Sequence, residues 1–137
     1  MRAPLMRKAV IPHNQTMMKP LKENFIHLIQ LLASLEKQDR YQAEVDVDIY
    51  DEFICMWFDD FYSNEAREHI RPLLSSKERK YVDDFHEFFQ THESKLPTSY
   101  AELRESPAWK QVREKADETL RVLNWNTIKT KSNFGAV

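Results

Sequence analysis

Glycine is almost absent from this chain, and its absence restricts the possible folds more than any other sequence feature. Among 137 residues, only Gly135 is a glycine. P-loops, dinucleotide-binding G-x-G-x-x-G turns and G-x-S-x-G nucleophile elbows all require glycine, so this sequence contains none of them. Tight β-hairpin turns also favour glycine. We therefore predict an all-α fold: a single compact bundle of four main helices plus one or two short helices, with loose termini.

The predicted helical domain occupies residues 20–124. Residues 1–19 are basic, contain Pro4 and Pro12 and lack an apolar helical period. We interpret them as a disordered tail, or as a mis-assigned start ahead of Met17 or Met18. Residues 125–137 are polar and weakly basic, which predicts a frayed C-terminal tail because few of their side chains can be buried.

The first predicted helix begins just after Pro20 and ends near Gln38. Proline is well tolerated in the first turn of a helix. The apolar residues that follow recur at the spacing of one helix face, and they are Leu21, Phe25, Leu28, Ile29, Leu32 and Leu35. This pattern predicts that one face of the first helix packs against the core of the bundle.

Residues 43–49 carry two conflicting signals. Their strict alternation of apolar and acidic residues is typical of a strand. Against a strand, aspartate is depleted in sheets, and a single strand leaves its backbone groups unpaired. We favour a second helix over about 47–62, capped by Asp46 or Asp48. Its predicted inward face consists of Tyr50, Phe53, Ile54, Trp57 and Phe61.

The third and fourth helices are predicted from their boundary residues. A short third helix over 64–71 is expected to stop at Pro72, because the residue before proline disfavours the helical conformation. Ser75 and Glu78 then form the S-x-x-E pattern of a capping box. This pattern predicts a fourth helix that ends near His92.

Two more serines mark the last helices. Ser99 precedes a predicted short helical turn over 100–105. Ser106 precedes a proline in the pattern of an N-cap followed by a first-turn proline, which predicts a last helix ending near Leu123. The apolar spacing places Trp57 and Trp109 in the core. Trp125 follows the last helix and either covers the end of the core or stays exposed.

Charge is distributed unevenly along the chain. All 22 acidic residues lie between Glu23 and Glu118, where twelve basic residues leave a net charge of −10, and eight basic residues lie outside this segment. Nucleic-acid-binding proteins gather basic side chains on one folded face. The distribution therefore argues against a nucleic-acid partner and favours a basic protein partner.

No pattern indicates a cofactor, a metal centre or a membrane segment. The single cysteine, Cys55, excludes an internal disulfide and a cysteine-based zinc site. Asp83 and His86 form one D-x-x-H spacing, whereas a di-iron bundle needs two E-x-x-H pairs. No apolar run reaches the length of a membrane span, and a signal-peptide core is missing, so we expect a cytoplasmic protein without a cofactor.

The segment from Tyr41 to Ala66 is the strongest candidate for a functional surface. It holds eight acidic residues and no lysine or arginine. Helix surfaces usually place opposite charges four residues apart, so a partner could supply the missing positive charge. The alternative is a solvated face whose first turn is stabilised by the helix dipole. We predict partner-binding residues at Asp48, Asp51, Glu52, Asp59 and Asp60.

A pattern rich in aromatic residues extends from the second helix to the last one. It comprises the run Trp57-Phe58-Asp59-Asp60-Phe61-Tyr62, then Phe85 and Phe88-Phe89, and then Leu96-Pro97 and Trp109. Over about residues 50–123 the chain resembles small acidic helical bacterial proteins of uncharacterised or toxin-immunity type. The resemblance implies a small cytoplasmic protein that blocks a basic nuclease toxin by covering its surface, and it implies no catalytic residue.

Three hypotheses of function result. The first is a non-enzymatic protein-binding module, most concretely an immunity- or antitoxin-like inhibitor that occludes a basic partner with an acidic helix face. The second is a small helical enzyme or metal–carboxylate protein using Asp83 and His86. The third is an accessory subunit of a larger complex. Convergence of Asp83, His86 and an acid from another helix in one cleft would favour the enzyme, and a convex acidic face with no cleft would favour the inhibitor.

Overall fold

The computed structural model describes residues 15–129, with side chains from residue 20 onward, and all regular structure within this range is helical. This confirms the predicted all-α class. The helices are α1 Gln15–Ala33, α2 Leu35–Glu44, α3 Ile49–Cys55, α4 Asn64–Ile70, α5 Ser76–Glu93, α6 Tyr100–Leu103 and α7 Pro107–Val122. α1 packs against α7, and α7 packs against α5. A π-helical turn, Met56–Phe61, continues α3, and a 3-10 turn, Arg71–Leu73, continues α4.

The prediction for the first helix is wrong at both ends. α1 begins at Gln15, so Pro20 lies inside it, and it ends at Ala33 rather than near Gln38. Ser34 has an extended backbone, and its hydroxyl accepts a hydrogen bond from the backbone N–H of Lys37. Ser34 is therefore the N-cap of a separate helix, α2. The apolar period continues through this break and conceals it.

Gln38, the predicted end of the first helix, instead closes the junction between α1 and α2. Its buried side-chain amide donates hydrogen bonds to the carbonyl oxygens of Leu31 and Leu32, at 3.0 and 2.9 Å. Its side-chain oxygen accepts a hydrogen bond from the indole N–H of Trp109 at 2.9 Å. These bonds satisfy carbonyl groups that the end of α1 leaves unpaired.

The segment after α2 resolves the conflict between strand and helix in favour of the helix. Residues 45–48 connect α2 to α3 without regular structure. Asp48 is the N-cap of α3, as one of the two predicted alternatives required. The second helix then extends to Phe61, but its last six residues form a π-helical turn that the sequence did not predict.

The remaining predicted caps are confirmed. Ser75 and Glu78 form both hydrogen bonds of a capping box at the start of α5. The hydroxyl of Ser99 caps α6, and the hydroxyl of Ser106 caps α7. The short third helix, α4, ends at Ile70, and a 3-10 turn that contains Pro72 follows it directly.

Trp125 covers the end of the core. Asn124 adopts a positive φ of 58°, which asparagine tolerates at a helix C-terminus. The chain turns back there, so that the backbone N–H of Trp125 donates to the carbonyl of Leu120 at 2.8 Å. The indole is buried edge-on against Phe25, and the side-chain amide of Gln30 donates to the Trp125 carbonyl.

Trp57 and Trp109 are fully buried, as predicted.

Most of the two predicted tails lies outside the described residues, which exclude 1–14 and 130–137, and the domain limits remain a prediction. Among the helices of residues 15–129, none is long and apolar enough to cross a membrane.

Candidate functional site

The predicted partner-binding residues follow α3 and the π-helical turn, where they differ in exposure. Asp51 and Asp59 are exposed, and Glu52 and Asp60 are half-buried. We refer to Asp51, Glu52, Asp59 and Asp60 as the acidic surface. Their core-facing neighbours Phe53, Trp57 and Phe61 are buried, whereas Tyr50 and Ile54 are half-buried.

Asp48 differs from the other four because intramolecular hydrogen bonds engage its carboxylate. Oδ1 accepts from the backbone N–H of Tyr50 at 2.9 Å. Oδ1 and Oδ2 also accept from the backbone N–H of Tyr100, at 2.9 and 3.1 Å. One side chain therefore caps α3 and anchors the start of α6. The local sequence predicts the cap of α3 but gives no sign of the contact with Tyr100, which lies 52 residues further along the chain.

The negative region extends beyond α3. Burial, together with the charges of Glu93 and Asp51, raises the pKa of the Tyr50 phenol. Glu93, at the end of α5, therefore lies close enough to contribute to the same electrostatic potential. Val47 precedes α3 and is 55% exposed, so an apolar side chain adjoins these carboxylates.

Within residues 15–129, two members of the acidic surface, Asp51 and Asp59, lack the ion pairs that several carboxylates on other helices form. Asp51 and Asp59 form no ion pair with any residue in the range 15–129. Five acidic residues on α2, α5 and α7 are matched with bases three or four positions away, in the pairs Glu36–Arg40, Lys80–Asp84, Lys110–Glu114, Lys115–Glu118 and Asp117–Arg121. Such pairs stabilise a helix slightly, and Asp51 and Asp59 do not receive that contribution.

An open cleft of about 900 Å³ lies between α4 and α5, and the sequence analysis did not predict it. Its lining includes the side chains of Arg67, Arg71 and Arg79 together with Asp83 and His86. The arginines come from α4, from the 3-10 turn and from the start of α5. The signal that could have revealed the cleft is the polar spacing on α5, where residues 79, 83, 86, 87 and 90 share one helix face.

A hydrogen-bonded network fixes one wall of this cleft. Nη1 of Arg71 donates to Oδ1 and Oδ2 of Asp83 at 2.6 and 2.7 Å, and it also donates to the phenol oxygen of Tyr62 at 3.2 Å. The Tyr62 hydroxyl itself donates to Oδ1 of Asp83. Burial acts to raise the pKa of Asp83, but these hydrogen bonds outweigh it and hold the pKa below its ordinary value. Asp83 is therefore ionised and fully engaged at neutral pH.

His86 is held in one orientation and one tautomer. The indole N–H of the buried Trp57 donates to Nδ1 of His86 at 3.0 Å, so the neutral ring carries its proton on Nε2. Burial, and to a smaller extent the charge of Arg67, lowers the pKa of His86. A neutral His86 with a protonated Nε2 is therefore a hydrogen-bond donor and not a general base at that nitrogen.

The π-helical turn allows Trp57 and Tyr62 to reach α5 together. The backbone N–H of Tyr62 donates to the carbonyl of Trp57 at 2.8 Å, a bond that spans five residues. In an α-helix, side chains five residues apart point about 140° apart, whereas the wider turn brings both rings into stacking contact at 5.2 Å. Single π-helical turns are frequent at functional sites, and this one supports the cleft.

The cleft meets the condition that would favour an enzyme, because Asp83, His86 and Glu68 of α4 all line it. The hydrogen bonds of Asp83 and the fixed tautomer of His86 nevertheless leave neither of these two side chains poised to accept a proton from a ligand. Within residues 15–129, no group of three histidine, cysteine, aspartate or glutamate side chains is placed to hold a metal ion.

Comparison with known proteins adds no relative: no family model, curated protein or solved structure matches this chain. The resemblance to proteins of toxin-immunity type therefore stays a prediction.

Proposed function

We propose that this protein is a non-enzymatic protein-binding module whose acidic surface contacts a basic partner. The observation that supports it most is that Asp51 and Asp59 are exposed without an ion pair among the described residues, whereas five carboxylates on α2, α5 and α7 pair with bases three or four positions away. In its most specific form, the proposal is an immunity- or antitoxin-like inhibitor that occludes the basic surface of a toxin.

The surroundings of the acidic surface support a protein as the partner. Protein interfaces combine partly buried aromatic or apolar side chains with a polar rim. Tyr50 and Val47 supply aromatic and apolar area beside Asp51, and Glu93 extends the negative charge. A small inorganic cation would not require this apolar area, whereas a protein surface would cover it.

Electrostatic attraction gives the binding mechanism. A concentration of negative charge on one side of a protein accelerates encounter with a positively charged partner, and dissolved salt weakens the effect. The rigid helix behind the carboxylates limits the side-chain motion that binding must suppress. The inhibitor would act by covering the basic site of its partner, and it requires no chemical step.

The test compares two variants with the same change in charge. The first is Asp51→Asn, Glu52→Gln and Asp59→Asn, which neutralises the acidic surface while keeping the Asp48 cap. The matched control is Glu114→Gln, Asp117→Asn and Glu118→Gln on α7. Proteins from the native host that bind immobilised wild-type and variant proteins are quantified by mass spectrometry. We expect a basic protein that is retained by the wild type and the control and lost from the acidic-surface variant; equal retention by all three would refute the proposal.

An enzyme is the second candidate, favoured by the shared cleft of Asp83, His86 and Glu68. We rank it second because Asp83 and Nδ1 of His86 are already hydrogen-bonded within the protein. The two candidates separate by mutation. If the protein is an enzyme, His86→Gln should abolish its activity and the acidic-surface variant should keep it. If the protein is a binding module, the acidic-surface variant should lose partner binding and His86→Gln should keep it.

A further inference from the structure

We propose that the cleft between α4 and α5 binds a phosphomonoester through the guanidinium groups of Arg67 and Arg79 and the Nε2–H of His86. This site is separate from the acidic surface and does not depend on its function. Its lining joins three arginines and a histidine donor in an open cleft of about 900 Å³. Arginine clusters of this kind recognise phosphate groups because the planar guanidinium donates in parallel to two oxygens.

Arg79 carries the largest unused donor capacity in the cleft. Its Nε donates to the backbone carbonyl of Arg71 at 2.9 Å, which anchors the base of the guanidinium. Among residues 15–129 its two terminal nitrogens make no hydrogen bond or ion pair. Because one end of the group is fixed, less side-chain entropy is lost when the free end binds a ligand.

Arg67 is also held in place within the cleft. Its guanidinium lies over the ring of Tyr62, 5.2 Å from the ring centroid, and donates to the side chain of Asn64. The ring is itself fixed, because the Tyr62 hydroxyl bonds to Asp83. The charge of Arg67 acts on both Asp83 and His86, two other members of the lining.

The lining holds three arginines and three carboxylates, so an anion would be attracted by the local placement of the guanidinium groups and not by the summed charge. Asp83 compensates Arg71 through a direct ion pair, so Arg67 and Arg79 remain as the two guanidiniums without a bonded carboxylate. A phosphomonoester carries a charge of about −1.5 to −2 at neutral pH, which matches these two groups. Glu68 and Glu87 are exposed members of the same lining, and they disfavour an extended polyanion such as a nucleic acid.

The volume of the cleft indicates that the phosphate is attached to an organic group. Ligand pockets for drug-sized molecules measure roughly 300–1,000 Å³, far more than a phosphate ion needs. The lining also includes Pro72 and the ring of His86, which supply apolar and aromatic area in the same cleft as the arginines. We therefore expect a monoester with an aromatic or other apolar substituent to bind more tightly than inorganic phosphate.

The experiment titrates uniformly ¹⁵N-labelled protein with phenyl phosphate, inorganic phosphate and acetate at constant ionic strength, and follows NMR shifts. We expect saturable shifts at Arg67, Arg79 and His86, and affinity in the order phenyl phosphate, inorganic phosphate, acetate. Removal of a charge-assisted contact in Arg79→Gln or Arg67→Gln should weaken phenyl phosphate binding about tenfold or more. The matched control, Arg121→Gln, removes one positive charge on α7 and should change the affinity less than about twofold.

Three results would overturn the inference. Equal affinity of the wild type and both cleft variants would exclude the arginines as the binding groups. Equal affinity for phenyl phosphate and inorganic phosphate would exclude the monoester. An absence of saturable shifts in the cleft at millimolar ligand would exclude the site. If Arg67→Gln disturbs folding through its Tyr62 contact, Arg79→Lys still decides the matter, because it keeps the charge and removes the two-pronged donor.

Discussion

Trp57→Ala should lower the free energy of unfolding more than a change at any exposed position. The indole is fully buried, and it stacks on Phe25 and Tyr62 with centroid distances of 5.5 and 5.2 Å. It also contacts Phe85 edge-on at 5.1 Å. Truncation of a buried tryptophan typically costs about 3–5 kcal/mol through lost transfer energy and the cavity left behind. We expect the upper part of this range, because these contacts come from three different segments of the chain.

A second variant separates packing from hydrogen bonding. Trp57→Phe keeps most of the aromatic contact but removes the N–H that donates to Nδ1 of His86. Loss of this bond, with a half-buried acceptor left unpaired, should cost about 1–3 kcal/mol. Because the lost bond favours the neutral ring, the pKa of His86 should rise in this variant.

Urea denaturation followed by circular dichroism measures both variants, and NMR titration of the imidazole measures the pKa. Phe58→Ala is the local control, since Phe58 follows Trp57 in the same turn but is only half-buried. A loss below about 1 kcal/mol for Trp57→Ala would show that the indole is not packed as described. A stability loss in Trp57→Phe with no change in the pKa of His86 would refute the hydrogen bond.

Three further predictions follow from other parts of the fold. Asp48→Ala should destabilise the protein by about 1–2 kcal/mol in urea denaturation, with little effect of Asp48→Asn, because asparagine is also a good N-cap. Trp125→Ala should cost about 3 kcal/mol, the lower end for buried tryptophans, because the residue covers the edge of the core, and an unchanged denaturation midpoint would contradict its burial. Hydrogen bonds from Arg104 hold the pKa of Asp39 below its ordinary value, and the pKa of Asp83 is lowered too. The stability that these two carboxylates contribute is therefore present above pH 4 and lost as the pH falls through their folded pKa values. The double variant Asp39→Asn and Asp83→Asn should show a shallower loss of unfolding free energy below pH 4.

The sequence predicted those parts of the fold that depend on local chemistry. The capping serines before α5, α6 and α7 bond to backbone groups within three residues, so a short stretch of sequence is sufficient to recognise them. The break at Ser34 is equally local, but the apolar residues on both sides keep the same period. Only the N-cap residue and the acidic Glu36 in the following turn mark it.

The candidate site depended on distant contacts, which a single sequence does not reveal. Asp48 was predicted as a surface acid, but its second partner, Tyr100, comes from α6. The cleft unites arginines from two helices and a turn, and its wall depends on a π-helical turn. No residue pattern predicted that turn, which allows Trp57 and Tyr62 to bond to α5 together.

The most direct test of the proposed function is the association rate with the partner captured by the wild-type protein, measured at low and physiological salt. Neutralisation of Asp51, Glu52 and Asp59 should slow association by roughly threefold to tenfold at low salt and reduce its salt dependence, with melting temperature unchanged or slightly raised. The α7 control should associate at nearly the wild-type rate. Equal rates and equal salt dependence for the wild type and the acidic-surface variant would contradict the claim that these carboxylates contact the partner.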